Sequence, residues 1–515
     1  MSAPPREQRQ QSALQVARLP TPAVGPEGAR QRRPLDYKWI VLINTTIGVL
    51  MSSLDNSIIT IALPDILKSL QASVVEVMWV VMGYSLIITA LLLPFARFAD
   101  MKGRVKMYNL GFIVFTLASA LCGFSQTGGQ LVIFRLVQGV GAAMLFANST
   151  ALVTDAFPDE QRGFALGVNM MAAVSGFVAG TVLGGVITQF WGWRFIFFIN
   201  VPVGIFATLW AFFKLHDVFE AEHEARFDLG GIVTFPLAVS ALLAALTYVV
   251  LGRWGSSTTN LLFALGVVML AVFLVLELRT REPMMDLALF RIRIFWAGQT
   301  SLFLNALARG GVMFIMTWYF QSVLDDSPLT AGLKMLPLAV MMMLSAPIAG
   351  RLSDLFGSRW LSTFGLVMTT AALAWMSTFA VNVPYVVLAV AFVVLGTGNG
   401  FFNAPNISAV MGAVPPQRRG VAAGTRTLLL NTGRTIAIAL TMAIVATVMS
   451  YQTLAALFAG TAKAHGADAI VFMDGLHKVF LVAAFVGVAA IICSAVQGKG
   501  GPVPQALRVT EGAEL

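Results

Sequence analysis

Charged side chains are scarce in this chain of 515 residues, because Asp, Glu, Lys and Arg together make up only 11% of it. Apolar residues account for 57%, and no soluble fold has enough polar surface to cover that share. The composition therefore excludes a soluble enzyme and indicates that lipid surrounds most of the chain. We expect the net charge of +9 to serve membrane topology rather than nucleic-acid binding.

Cysteine, nucleotide-binding loops and intramembrane histidine are also missing or rare. The two cysteines, Cys122 and Cys493, lie in apolar stretches and form no disulfide framework. The chain has no glycine-rich loop ending in Gly-Lys-Ser or Gly-Lys-Thr, and its four histidines fall in or beside predicted loops. We therefore expect no use of ATP, no metal site and no cofactor, which leaves the proton gradient as the energy source.

Apolar windows of about 20 residues, the length of a membrane-spanning helix, recur along the chain. Lys and Arg collect in alternate loops between the windows, as they do in cytoplasmic loops, and an even number of spans places both termini in the cytoplasm. Fourteen spans are predicted, at residues 39–64, 76–96, 106–125, 130–153, 163–188, 194–213, 229–250, 259–278, 294–320, 329–349, 360–380, 384–411, 420–449 and 475–496.

The sequence also contains an internal repeat. Residues 139–167 align without gaps to residues 396–424, an offset of 257 (396 − 139). Duplicated bundles are common in transporters. Because this offset is too long for two adjacent six-span units, two extra spans, 229–250 and 259–278, must separate them.

These observations predict an all-α integral membrane protein with 14 transmembrane helices. Two six-helix bundles form a parallel pseudo-repeat around an axis along the membrane normal, with a cavity between them near the midplane. The predicted division is a disordered cytoplasmic tail (1–37), an N-terminal six-helix bundle (38–214), a two-helix insertion (228–278), a C-terminal six-helix bundle (294–496) and a second cytoplasmic tail (497–515).

One short charged loop follows the second span of each repeat, and span 5 carries a row of glycines. A carboxylate among cations near a helix N-terminus forms a network that locks one bundle and breaks as the bundles rock, although a plain positive-inside anchor is the alternative. The glycines make a groove for a close helix neighbour, either as generic packing or as a gating seam. The predicted gating-loop residues are Asp100, Gly103, Arg104, Asp354, Gly357 and Arg359, and the glycines are Gly176, Gly180, Gly184 and Gly185.

Asp55 is the acidic residue predicted to lie deep within a span, where a charge costs about 3 kcal/mol or more. Arg135 lies at a similar depth in span 4, so the two side chains are expected to pair. A nearby guanidinium favours the ionised carboxylate, whereas separation and desolvation favour the protonated form. Such a pair would be a proton site that biases the rocking of the bundles; a static salt bridge is the alternative.

Other polar side chains within the spans suggest a substrate cavity. Cations on walls rich in methionine and aromatic residues suit amphipathic neutral or anionic ligands, with structural helix–helix bonds as the alternative. The cations placed within spans are Arg135, Arg309, Lys334 and Arg434. The predicted cavity residues are Ser52, Gln138, Asn305, Arg309, Met313, Met316, Asn431 and Arg434.

Five stretches, at residues 54–64, 100–104, 135–143, 176–185 and 193–202, look like motifs of one family. Together they resemble the major facilitator superfamily, specifically its fourteen-helix drug:proton antiporter branch, and the resemblance covers nearly the whole chain. Two positions depart from the family pattern. Thr181 replaces the usual proline of the antiporter motif, and Ala96 replaces the glycine that usually opens the loop signature.

The resemblance implies a proton-coupled antiporter that exports amphipathic drugs or toxic small molecules by alternating access. It implies a monomer with several spans in the cytoplasmic membrane, in contact with protons and membrane lipids, and neither an enzyme nor a nucleic-acid binder. Dications are not expected as substrates, because dication exporters of the family carry extra carboxylates in the second half. Export of lipids or cell-envelope precursors, a membrane sensor, and uptake by symport, which Thr181 leaves open, are the alternatives.

Overall fold

The computed structural model describes residues 36–217, 229–280, 285–415, 418–458 and 467–498. These residues are helical apart from short connections, and no strand occurs among them. A helix satisfies its backbone hydrogen bonds internally, so an apolar chain surrounded by lipid is expected to fold in this way. Almost all of the two predicted tails, 1–37 and 497–515, lies outside the described residues.

The long helices follow the predicted spans closely. Thirteen helices of the described chain are long and apolar enough to cross a membrane, with the segment Arg293–Val323 counted as one span. Helix α11 is not among them, because several serines and threonines lower its mean hydropathy. The long helices are α1 (Tyr37–Leu70), α2 (Val74–Lys102), α3 (Arg104–Phe124), α4 (Gly128–Ala156), α5 (Asp159–Trp191), α6 (Asn200–Lys214), α7 (Leu229–Val250), α8 (Ser257–Arg279), α9 (Arg293–Arg309), α10 (Pro328–Phe356), α11 (Ser358–Met376), α12 (Tyr385–Ala413), α13 (Arg419–Val445) and α14 (Ala467–Ala495).

Span 9 differs from its prediction as a continuous helix over 294–320. Helix α9 ends at Arg309. A two-residue turn at Gly310 and Gly311 separates it from a second helical segment, Val312–Trp318. A π-helical turn, Tyr319–Val323, then completes the span. Short helices at Phe195–Phe198 and Tyr451–Phe458 and a 3₁₀ turn at Leu287–Arg291 were also not predicted as separate elements. Apolar windows detect spans but not the glycine breaks and polar ends that subdivide them.

The helices form two groups with α7 and α8 beside them. Helices α1–α6, here called the N-bundle, pack mainly against one another, as do α9–α14, the C-bundle. The bundles contact each other through α5 with α10 and through α2 with α13. Helix α7 packs on α8 and also lies against α2 and α13, one helix from each bundle. Most of the surface of α8 is exposed, as expected for a helix that faces lipid.

Glycine allows the tight turns of both predicted gating loops. Gly103 separates α2 from α3 with a φ of 106°, and Gly357 separates α10 from α11 with a φ of 83°. Side chains with a Cβ rarely adopt such angles, so a single glycine reverses the chain at the equivalent point of each repeat. Asp217 then caps α3, because its Oδ1 accepts a hydrogen bond from the Val105 amide at 2.7 Å.

The glycine row of α5 lies directly against the backbone of α1. A Cβ added to Gly176 would lie 2.6 Å from the Leu50 carbonyl oxygen, and one added to Gly180 would lie 2.6 Å from that of Leu54. Gly184 stands in the same relation to Ile58, at 2.7 Å. Each of these glycines therefore packs against a successive turn of α1. Because glycine has no side chain, the backbones of the two membrane helices approach closely and gain extensive van der Waals contact.

Beyond this row, α5 meets the C-bundle. A Cβ on Gly185 would lie 2.7 Å from the Pro328 carbonyl oxygen at the start of α10. A Cβ on Gly332 would lie 2.7 Å from the carbonyl oxygen of Thr181, the residue that replaces the expected proline. At the same end, Gln321 donates to the Ile61 carbonyl oxygen of α1 at 2.9 Å. Direct backbone contact therefore closes this end of the molecule.

We predict that Gly180→Ala destabilises the fold, since the new methyl group has no room against α1. Overpacking of this kind costs about 1 to 3 kcal/mol. Gly167→Ala is the matched control in the same helix, because nothing lies within 4 Å of its Cβ position. Thermal unfolding in detergent should show a lower midpoint for the first variant only, and equal midpoints would contradict the close contact of α5 and α1.

Candidate functional site

A cavity of about 2100 Å³ lies between the N-bundle and the C-bundle. Its lining extends to Asp100, Arg104 and Asp286 at one end of the molecule, which we call the mouth. The opposite end is the one closed by α5 and α10. The cavity exceeds the roughly 300 to 1,000 Å³ typical of small-molecule pockets, because it includes the funnel that leads to the mouth.

The predicted cavity residues divide into two groups. Ser52, Arg309, Asn431 and Arg434 line the cavity. Gln138 and Asn305 are buried behind its walls, where Gln138 contacts Asp55 and Asn305 donates to Asn399 at 3.4 Å. Met316 lies in the apolar core and Met313 packs against it, because nearly every residue of the segment Val312–Trp318 is buried.

Asp55 and Arg135 form a buried ion pair in the N-bundle. Arg135 Nη1 lies 2.6 Å from Asp55 Oδ2, and the exposed fractions of the two side chains are 1% and 0%. Gln138, one turn after Arg135 on α4, donates to the other carboxylate oxygen at 3.0 Å and accepts from Arg135 Nη1 at 2.7 Å. A buried pair is tolerated only when further hydrogen bonds satisfy both ions, as they do here.

A third donor to the carboxylate comes from α6. Asn200 Nδ2 lies 2.9 Å from Asp55 Oδ1 and 3.3 Å from the Ser119 hydroxyl oxygen. The prediction from sequence did not include Asn200 in the site, although it belongs to the stretch 193–202 that resembles a family motif. An amide at the start of a membrane helix gives no charge signal, so only its position in that motif could have drawn attention to it.

Arg135 has partners besides Asp55. Its Nε donates to the Val80 carbonyl oxygen at 3.2 Å, and its guanidinium carbon lies 4.0 Å from the centre of the Tyr84 ring. A cation over an aromatic face is stabilised by the ring, most strongly where water is excluded. The guanidinium is therefore held by α2 and α4 together, independently of the carboxylate on α1.

The ion pair lies just behind the cavity wall. Ser52 and Asn56, which flank Asp55 on α1, both line the cavity, whereas Asp55 points into the N-bundle. A ligand on this wall would therefore contact α1, the helix that carries the carboxylate, on the face next to Asp55.

Ion pairs brace each bundle at the mouth. Arg104 lies 2.8 Å from Asp100 and 2.6 Å from Asp155, which links the start of α3 to the ends of α2 and α4. In the C-bundle, Arg418 pairs with Asp286 at 2.5 Å. Asp354 belongs to the second predicted gating loop, and its side chain is not among those that the structure describes.

The remaining residue of that loop, Arg359, lies 5.4 Å from the centre of the Trp360 ring. The contact is therefore with an aromatic face, where a guanidinium is favourably placed.

The C-bundle wall also carries a buried cation that was not among the predicted cavity residues. Arg426 of α13 lines the cavity, is 7% exposed, and donates to Asn406 at 3.0 Å and to Asn403 at 3.1 Å. Its position near the predicted start of span 13 made it look like a cytoplasmic loop cation. Among the described residues, no group of His, Cys, Asp and Glu side chains is arranged to hold a metal ion.

Several curated proteins are similar to this chain in sequence. The riboflavin transporter of Clostridioides difficile is 34% identical over 75% of this chain and 83% of its own length. The tetracenomycin C resistance and export protein of Streptomyces glaucescens is 32% identical over 80% of this chain and 75% of its own length. The multidrug resistance protein Stp of Mycobacterium tuberculosis is 33% identical over 80% of this chain and 76% of its own length.

Solved structures share the fold. A bacterial homolog of the human lysosomal transporter Spinster, in an inward-facing and unoccupied conformation, gives a TM-score of 0.62 at 18% identity, covering 91% of this chain and 98% of its own. The sequence profile of the Major Facilitator Superfamily matches residues 45–278 and 300–497. The resistance and export proteins among the relatives agree with the drug:proton antiporter branch. The chain therefore belongs to the Major Facilitator Superfamily, the family that its motifs predicted.

Proposed function

We propose that this protein is a proton-coupled antiporter that exports amphipathic small molecules by alternating access. The observation that carries the proposal is the fully buried Asp55–Arg135 pair one helix face away from the cavity wall. We further propose that all 14 long helices cross the membrane and that the mouth and both termini face the cytoplasm, because the loops at the mouth are rich in Lys and Arg.

The network around Asp55 has the properties of a switch. Protonation removes the charge that balances Arg135, and an uncompensated buried cation is costly. Part of that cost is offset because Arg135 keeps the Val80 carbonyl, the Tyr84 ring and the Gln138 side chain. The carboxylate on α1 is then free to separate from α4. A proton on Asp55 would therefore favour a different packing of α1, which also carries the glycine contacts to α5.

The closed end supports a rocking mechanism. Contacts between the bundles at that end include close backbone approaches at Gly185 and Gly332 and the hydrogen bond from Gln321 to Ile61. These contacts exist only when the end is closed, whereas the row from Gly176 to Gly184 lies within the N-bundle. Rocking of two rigid bundles would break the first set and keep the second.

Export of lipids or cell-envelope precursors is a second candidate. The cavity lining includes Ile232 of α7 and Leu278 of α8, so the cavity reaches the two-helix insertion at the side of the molecule. A lateral path of that kind would suit a ligand that enters from the bilayer. A stronger thermal stabilisation by lipids than by lipophilic dyes would favour this candidate.

We predict that ligand-induced proton release depends on Asp55. A weakly buffered sample of the purified protein is mixed with lipophilic cations, neutral drugs and lipids, and the pH change is recorded. Wild type should release protons with at least one ligand class, and Asp55→Asn should fall to the buffer blank, because it has no titrating carboxylate. Asp65→Asn, which removes an equal charge from the same helix at a partly exposed site, should behave as wild type.

The double variant Asp55→Asn/Arg135→Gln controls for folding. It leaves no buried unpaired cation, so it should be more stable than Asp55→Asn alone. It should still release no protons when a ligand is added. Equal proton release from wild type and Asp55→Asn would refute the coupling role and leave a static salt bridge.

We also predict that Gly185→Ala shifts the conformational equilibrium. Its methyl group meets the Pro328 carbonyl only in the closed-end state, whereas the methyl group of Gly180→Ala meets α1 in every state. The readout is maleimide labelling of Ser408→Cys, on the cavity lining, in a Cys493→Ser background where Cys122 is buried. Labelling should slow at least about twofold in Gly185→Ala and stay unchanged in Gly180→Ala. Equal rates in both variants would contradict rocking.

A further inference from the structure

Besides Arg291, Arg418 and Arg419 toward the mouth, the C-bundle wall of the cavity carries three arginines on the two helices α9 and α13. Arg309 lies at the end of α9, and Arg426 and Arg434 lie on α13. Arg309 is 9% exposed and Arg426 is 7% exposed, and both line the cavity together with Arg434. These side chains are therefore largely removed from bulk water while facing the space that a substrate would occupy.

No carboxylate of the described side chains pairs with these arginines. Arg426 donates only to the amide oxygens of Asn403 and Asn406, which orient a guanidinium without cancelling its charge. The acidic residues of the cavity lining lie toward the mouth and have other partners. Asp100 and Asp155 contact Arg104, Asp286 contacts Arg418, and Glu277 accepts from the Met285 amide.

Arg309 has a buried donor that is not satisfied. Its Nε is buried and has no hydrogen-bond partner in the part of the chain that the structure describes. A Cβ on Gly310 would lie 2.9 Å from Arg434 Cα, so the backbones of α9 and α13 hold the two cations near each other. Two like charges in a partly desolvated site call for a counter-ion.

The N-bundle wall opposite has a different character. Phe146 of α4 and Phe177 of α5 line it, with Met170 and Val174 beside them. Aromatic and apolar side chains offer a surface for a flat or flexible apolar body. The cavity thus presents a cationic wall and an apolar wall to the same ligand.

We propose that Arg309, Arg426 and Arg434 form a subsite for the anionic group of an amphipathic substrate. The group is a carboxylate, phosphate or sulfonate, because guanidinium forks match planar and tetrahedral oxyanions with paired hydrogen bonds. The apolar part of the substrate lies against Phe146 and Phe177. This inference rests on the proposed transport function and narrows its substrates to amphipathic anions.

The test compares two ligands that differ in one charged group. Anilinonaphthalene sulfonate and uncharged N-phenylnaphthylamine share the same aromatic frame, and their binding is measured by equilibrium dialysis against protein in phosphatidylcholine nanodiscs, with empty nanodiscs subtracted. Wild type should bind the sulfonate more tightly. Arg309→Gln/Arg434→Gln should weaken sulfonate binding at least about tenfold and change binding of the uncharged ligand by less than about twofold.

Two further variants control for charge and folding. Arg291→Gln removes one positive charge at the exposed mouth of the same cavity and should leave sulfonate binding within about twofold of wild type. Arg309→Lys keeps the charge but not the fork and should give an intermediate loss. Retained binding of the uncharged ligand shows that a variant is folded.

Two results would overturn the subsite. One is equal affinity of wild type for both ligands, and the other is an undiminished sulfonate preference in the double variant. Replacing phosphatidylcholine by phosphatidylglycerol identifies the source of the anion. Competition that is lost in the double variant would assign the subsite to a lipid head group, and absence of competition would assign it to a small-molecule anion.

Dialysis needs no proton gradient, so failure of the subsite and failure of the proposed transport function are distinguishable. Asp55→Asn should keep the preference for the sulfonate over the uncharged ligand, because it leaves the three arginines in place. Loss of proton coupling with intact anion preference would refute antiport alone, whereas intact coupling without anion preference would refute the subsite alone.

Discussion

The free-energy cost of an ionised side chain in apolar surroundings determines how charge is arranged in this molecule. In the N-bundle, Asp55 and Arg135 balance each other, and Gln138 and Asn200 satisfy the remaining carboxylate lone pairs. In the C-bundle, Arg309, Arg426 and Arg434 face the cavity, and none of them pairs with a carboxylate of the described side chains. One half of the repeat therefore supplies its own counter-charge, and the other leaves its cations available to what enters the cavity.

The bracing at the mouth shows the same divergence between the halves. Arg104 is held between Asp100 and Asp155 in the N-bundle. The position equivalent to Asp155 in the second repeat is 155 + 257 = 412, which is a glycine. The C-bundle is braced instead by Arg418 and Asp286, which joins the segment before α9 to the start of α13. Both braces lie within a bundle, so each bundle is stiffened without being tied to the other.

Much of this arrangement could be predicted from sequence, because apolar length and charge position dominate folding in lipid. The positions of the long helices and the similar depths of Asp55 and Arg135 followed from those signals, and the family followed from the resemblance of five short motifs. Neutral amides such as Asn200 give no such signal. Arg426 was missed because a cation near a helix end is normally a topological anchor. Met313 and Met316 were expected on the cavity lining but pack in or against the apolar core, because helical periodicity gives the residues that share a face and not what borders that face.

The break in span 9 also has an evolutionary consequence. Gly310 and Gly311 fit against the backbone of α13 at Arg434 and against the Thr441 side chain, so their lack of a Cβ sets the spacing between Arg309 and Arg434. A single methyl group there would spread the two guanidinium groups without touching any ligand. With the proposed anion subsite, mutation of these two glycines would change the substrate range of this transporter without altering a residue that contacts a substrate.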